Sequence, residues 1–340
     1  MQSANQHESL TRDRSLSHYS APPMDRNDKL TSMQNLTELN DSFAIPGMLT
    51  FQQGNGGLLC AQITTPVCTA TLYLHGAHLT HWQPEGQSSV FFLSEHSKYE
   101  VGKAIRGGIP LIFPWFGARA DGAGPTHGFA RTQVWDVAFT AVSGDDLHLT
   151  VTLGPTEESR KLGFDNFRVA YELIFGRELT LRFSVANQGK EALHFEEGMH
   201  TYFQVSDVAN VSVLGLKDTE FLDKIDSFKR KRQTDEVLRI TGATDRPYLN
   251  TEATLTLEDP GLTRSIVNAK QGSKTTVVWN PWAEQAAALP DLGPDEWRHM
   301  LCVETVNAVD NALILQPNEA HTMEAKISVQ PVSSTKAPVQ

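Results

Sequence analysis

The chain has 340 residues, 40% of them apolar, enough to bury one large core, and all-β sandwiches of ~250 residues commonly form one domain. Its 29 basic and 40 acidic residues give a formal charge of −11, which repels a phosphate backbone and speaks against nucleic acid as a partner. No run reaches the ~18 apolar residues of a membrane span, and the N-terminus lacks the apolar core of a secretory signal. Cys60, Cys68 and Cys302 cannot all pair within one chain and show no CxxC spacing, so buried, reduced thiols in a cytoplasmic protein are expected.

Residues 1–45 mix both charges with Ser, Asn, Gln and Pro and read as a disordered extension. Glu8, Asp13, Asp25 and Asp28 argue against an organellar transit peptide. From 46 to 330 the pattern is strands joined by turns. His75, His78 and His81 lie three apart in LHGAHLTHW, but on a strand His78 points away from the other two, which argues against three-ligand zinc. Segments AIRGGIPLIFPWFG (104–117) and THGFARTQVWD (126–136) follow. Trp135, Val137 and Phe139 then match Leu147, Leu149, Val151 and Leu153 as two strands of a hairpin. Short helices are predicted over 157–162 and 283–289.

In FRVAYELIF, Phe167, Val169, Tyr171, Leu173 and Phe175 alternate with mostly polar neighbours, and Leu179, Leu181, Phe183 and Val185 share one face of LTLRFSVAN. Cross-strand partners point to the same face, so the loop between these strands must have an odd length, such as 176–178. GMHTYFQVSD (198–207) sets His200 among Tyr202, Phe203 and Val205, on or beside a strand. The dense basic run Lys229-Arg230-Lys231-Arg232 reads as a solvated loop. Asp245 lies in TDRPYLN, and Trp279 and Trp282 lie in VWNPW, where they can stack on a ligand or pack in the core. LCVETVN (301–307) places Glu304 between Val303 and Val306. Alternation returns at 312–317 and 321–329 and is lost in a tail, 331–340. An all-β, large antiparallel sandwich with few short helices follows.

Four segments, IRGGIP, HGFAR, MHTYF and VETVN, occur in one order. Together they resemble the aldose 1-epimerase (galactose mutarotase-like) superfamily, and within it the glucose-6-phosphate 1-epimerase branch, from about Phe51 to about Val329. The resemblance implies the galactose mutarotase-like supersandwich. It also implies an enzyme that interconverts α and β anomers of a hexose 6-phosphate, foremost glucose 6-phosphate, without cofactor or metal. Position by position, it puts the base at Glu304 and the acid at His200, with His127 as a second active-site histidine. It places Arg106 and Arg131 at the phosphate, whose oxygens a planar guanidinium matches, and Asp245 at sugar hydroxyls. Many members carry Gln where Thr126 stands here. Gly107 and Gly108 would let the backbone approach a ligand closely.

Anomer exchange needs a proton taken from the C1 hydroxyl and one given to the ring oxygen. A carboxylate and an imidazole suit these tasks, each contributing about 10²–10⁴-fold. Two other readings stay open: a glycoside hydrolase pairing Glu196 or Glu197 with Glu304, and a phosphosugar-binding module that does no chemistry. The expected partner is a small hexose phosphate, and the expected state a monomer.

Overall fold

The computed structural model describes residues 34–332, and among them every strand pairing is antiparallel. A nine-stranded sheet includes the long hairpin of strands Phe167–Phe175 and Leu179–Asn187, where Phe175 pairs with Leu179. The loop between them therefore has three residues, 176–178, as parity requires. Its apolar face is buried at every second residue. An eight-stranded sheet lies against this face, and Phe113, directly after its strand Leu111–Ile112, is 5.2 Å from Phe167 and 6.4 Å from Phe183 of the nine-stranded sheet, ring to ring. A four-stranded sheet spans strands Leu49–Gln53 to His78–Pro84, and a two-stranded sheet joins Leu193–Phe195 to Leu313–Leu315. This is the all-β sandwich expected. No helix among the described residues is long and apolar enough to cross a membrane.

Four local expectations are corrected. A bulge between Val137 and Phe139 shifts the register, so that Val137 faces Val151 but Phe139 faces Thr150. The extra residue reverses later side chains, and Phe139 is 42% exposed rather than inward. Next, the part of the presumed extension from residue 34 is ordered: Leu36–Phe43 is a helix started by a capping box between Asn35 and Glu38. Its Leu39 is fully buried, the Gln34 side chain bonds both backbone groups of Val137, and Asn40 bonds both of Phe51. The helix thus covers the edges of two sheets, using apolar spacing too short to stand out in a polar segment. Residues 1–33 lie outside the described part. Third, Lys229–Arg232 is an edge strand, exposed at every residue, with cations paired to Asp226, Glu220, Asp310 and Asp223. Charges on an edge discourage pairing with another chain. Finally, the last strand, Ala320–Pro331, runs one residue past the expected boundary, and 333–340 lie outside the described residues.

The two other helices are Glu157–Lys161, within the predicted span, and Trp282–Ala286, shorter and earlier than predicted. His75, His78 and His81 take separate partners: the Lys103 carbonyl, the Gly107 carbonyl and the Thr69 hydroxyl. Burial pushes the His78 imidazole down to about 3, so it is neutral and donates to Gly107.

Candidate active site

The strand Met300–Asn307 is buried along its whole length, because it is covered on both faces and paired on both sides. Glu304 sits near its middle, 1% exposed. Two short strands, Glu197–Met199 and Tyr202–Gln204, pair with it, Met199 opposite Thr305 and Tyr202 opposite Cys302. His200 falls in the break between them. Its N–H leaves the ladder to donate to the Pro110 carbonyl at 3.0 Å, and its ring turns towards Glu304. Nε2 of His200 is 3.4 Å from Oε1 of Glu304.

Around this pair lies a cavity of about 380 Å³. His127 lines it with a left-handed backbone, φ 63°. Its N–H donates to the Gly117 carbonyl at 2.6 Å, and the Gly117 N–H donates back to its Nδ1 at 3.1 Å. Because Nδ1 accepts, the neutral ring carries its proton on Nε2. Gly128 follows at φ 77°, where an added Cβ would meet the Phe113 oxygen at 2.0 Å, so only glycine fits. The His127 and His200 rings meet edge to face at 5.5 Å, and Tyr202 stacks on His200 at 4.8 Å.

Arg106, Arg131 and Asp245 line the same cavity, so all six side chains singled out in the sequence converge. Arg106 donates to the Tyr202 hydroxyl at 2.9 Å and to Asp291 at 3.0 Å. Arg131 donates to the Thr126 carbonyl at 2.6 Å. Position 126 therefore serves Arg131 through its backbone, which Gln or Thr supplies equally. Asp245 pairs with Lys224 at 2.7 Å.

Burial dominates the electrostatics. It pushes the Glu304 carboxyl well above its usual range, helped by nearby Asp245 and opposed by Lys224 and Arg131. It pushes His200 well below its usual value, as do the charges of His127, Arg131 and Arg106. His127 is depressed in the same way, by burial and then by Arg131, Lys224 and Arg106. Burial raises Asp245, against the pull of Lys224, and lowers Arg131 to about 10. Oε2 of Glu304 and Nδ1 of His200 are buried without a hydrogen-bond partner. Such unmet groups cost about 1–3 kcal/mol each, and strongly perturbed acids and bases in a cleft are a mark of functional sites.

A family model described as aldose 1-epimerase matches residues 60–328. The chain belongs to the aldose 1-epimerase family. That family is one of isomerases, and this member is 33% identical over 260 residues to a protein of Escherichia coli (strain K12) provisionally named a glucose-6-phosphate 1-epimerase, covering 76% of this chain and 87% of the relative. A protein of Salmonella typhimurium with the same provisional name is 36% identical over 245 residues, 72% of this chain and 81% of its own. A crystal structure from Salmonella typhimurium, provisionally called a mutarotase, superposes with TM-score 0.80 at 29% identity, over 85% of this chain and 96% of that one. A galactose mutarotase-like protein of Clostridium acetobutylicum shares the fold at TM-score 0.64 and 16% identity, over 84% of this chain and 98% of its own.

Within this epimerase several finer readings change. Added Cβ atoms at Gly107 and Gly108 would strike the Phe92 and Leu79 carbonyl oxygens at 2.4 and 2.3 Å. The glycines thus admit the protein's own backbone, and with the His78 bond to Gly107 they fix the loop that carries Arg106. Glu196 and Glu197 do not line the cavity: Glu196 accepts from the Phe116 and Val309 N–H groups, while Glu197 is buried against Asn307 and His321. The paired-carboxylate reading loses both residues. Trp279 lines the cavity, whereas Trp282 packs on Trp297 at 4.6 Å. Sequence reasoning missed Tyr202 as an Arg106 partner, and also Lys224 and Asp291. The last two stand in turns with no periodicity to mark them.

Proposed function

We propose that the protein interconverts the α and β anomers of a hexose 6-phosphate, foremost glucose 6-phosphate, by proton transfer at Glu304 and His200. The observation that carries this is the 3.4 Å approach of His200 to Glu304 in a cavity that also holds Arg106 and Arg131. The provisional names of the relatives support the choice of sugar phosphate. Glu304 takes the proton of the C1 hydroxyl while His200 gives one to the ring oxygen, so the C1–O5 bond breaks and an aldehyde forms. Rotation about C1–C2 and the reverse transfers close the other anomer. Only protons move, and no cofactor enters the scheme.

The scheme requires His200 charged and Glu304 ionised, a state that burial opposes. The two groups lie close enough to share one proton, so they titrate as a pair. Arg106 and Arg131 hold His200 neutral in part by their charge. A phosphate bound between them offsets that charge, which favours the imidazolium. Phosphate binding and acid strength are thereby linked, and unphosphorylated sugars lack the link. His127, protonated on Nε2, donates to a sugar oxygen, while Asp245 and Lys224 hold hydroxyls.

A pure binding module would gain nothing from unmet buried groups on His200 and Glu304, which favours catalysis. The three free, buried cysteines fit a reducing compartment such as the cytoplasm. We take residues 34–332 as the catalytic body. Anomer exchange of glucose 6-phosphate followed by NMR, with glucose and galactose as comparators, tests the reading. Exchange no faster than buffer, with folded protein, would overturn it.

A further inference from the structure

We infer that the active site is also a binding site for a thiophilic divalent cation, Zn²⁺ above all, held by His200, Cys302 and Glu304 and blocking the cavity. The ligand atoms of these three residues lie within 4.8 Å of one another, and no other such group of three occurs among the described residues. Strand geometry explains the set. Cys302 and Glu304 are two apart on the strand Met300–Asn307 and so share a face, while His200 sits in the break of the neighbouring pairing and turns to the same face.

The dimensions suit zinc. Bonds of ~2.0–2.3 Å in a tetrahedron place ligand atoms ~3.3–3.8 Å apart, and His200 Nε2 to Glu304 Oε1 is 3.4 Å. The Cys302 sulfur, within 4.8 Å of the other two ligand atoms, closes the remaining distance by side-chain rotation on binding. Imidazole, thiolate and carboxylate together favour zinc over magnesium or calcium, which prefer oxygen. His200 and Glu304 line the cavity while Cys302 is buried outside its lining, so the fourth position of a three-ligand site would be filled from the cavity side. Of the three cations lining the cavity, Lys224 is paired with Asp245 and Arg106 with Asp291, which lowers the field an entering ion meets, while Arg131, bonded to the Thr126 carbonyl, opposes it. Binding expels the Cys302 thiol proton and the proton shared by His200 and Glu304, so thiolate and carboxylate charges balance the ion.

The ion itself has no part in anomer exchange, and the test of its binding needs no substrate. Co²⁺ added to the full metal-free protein should give a thiolate-to-cobalt charge-transfer band and a tetrahedral d–d spectrum, both removed by Zn²⁺. Titration should show one Zn²⁺ per site. Cys302→Ser should weaken Zn²⁺ binding by at least ~100-fold, beyond the ~10–100-fold that loss of an outer-shell partner costs. Cys60→Ser and Cys68→Ser should leave it unchanged. Where anomer exchange is present, Zn²⁺ should abolish it and a chelator restore it. A cobalt complex without the thiolate band, or Zn²⁺ bound equally by folded Cys302→Ser, would overturn the inference. The cobalt spectrum of the unaltered protein decides the matter even if Cys302→Ser does not fold.

Discussion

Arg106 and Asp291 form an ion pair at 3.0 Å on the wall of the cavity, both side chains about four-fifths buried, with relative exposures of 22% and 20%. Asp291 thus occupies one edge of the guanidinium fork that a phosphate would use. Under the proposed function an incoming phosphate must share or displace this carboxylate, and the contact would set how much Arg106 contributes to binding.

Arg106→Ala and Arg131→Ala should each lower kcat/KM for glucose 6-phosphate by about 10- to 150-fold, the worth of a charge-assisted hydrogen bond of roughly 1.5–3 kcal/mol. Activity on glucose should change little, since that sugar has no phosphate to hold. Arg→Lys should recover only part of the loss, keeping charge but not the fork. The deciding quantity is the ratio of kcat/KM for the two sugars; an unchanged ratio removes these arginines from the phosphate site.

His200→Ala and Glu304→Gln should each lower turnover by about 10²-fold or more while ligand binding persists. The pair should also be strongly non-additive, because the two residues act as one unit. Near-normal turnover in both variants, measured by NMR exchange, would remove them from the proton path.

Stability should report the buried carboxyl separately. The Glu304 pKa is raised on folding, so above the ordinary carboxylate range the native state holds a proton that the unfolded state has lost, and stability falls as pH rises. Glu304→Gln removes this term. The variant should match the wild type near pH ~4, around the unfolded carboxyl value, and melt at a higher temperature at neutral and alkaline pH. Parallel melting curves at every pH would show that Glu304 ionises freely.

Leu39, on the inner face of the helix Leu36–Phe43, is fully buried. Leu39→Ala should cost about 2–5 kcal/mol, as for other buried leucines. Deleting residues 1–40 should likewise lower the melting temperature, because Gln34, Leu36, Leu39 and Asn40 go with it. Chemical denaturation of both variants checks this, and a deletion as stable as the full chain would mean the helix is dispensable.

Gly128→Ala should unfold or distort the site, because it combines an unfavourable φ with a contact of 2.0 Å to the Phe113 oxygen. Its effect on turnover should exceed that of His127→Ala, since the turn also carries Arg131. Comparing the two variants' kcat and melting temperatures tests this.

The sequence by itself determined the sheet pairing wherever strands alternate strictly, as in Phe167–Phe175 with Leu179–Asn187, because a period of two dictates both face and parity. The family resemblance pointed to the six residues that converge in the cavity, since HGFAR, IRGGIP, MHTYF and VETVN carry five of them and TDRPYLN carries Asp245. What remained hidden depends on contacts distant in the chain. The bulge after Val137, the helix packed over two sheet edges and the charged edge strand Lys229–Arg232 are decided by neighbours, not by local pattern. So are the Asp291 and Lys224 pairs, which join turns to residues 185 positions away in one case. The 3.4 Å between His200 and Glu304, and with it the raised carboxyl and depressed imidazole, exists only once two strands and a break bury both groups together. Desolvation and Coulomb energy depend on distance in space, and spacing along the chain does not encode that distance.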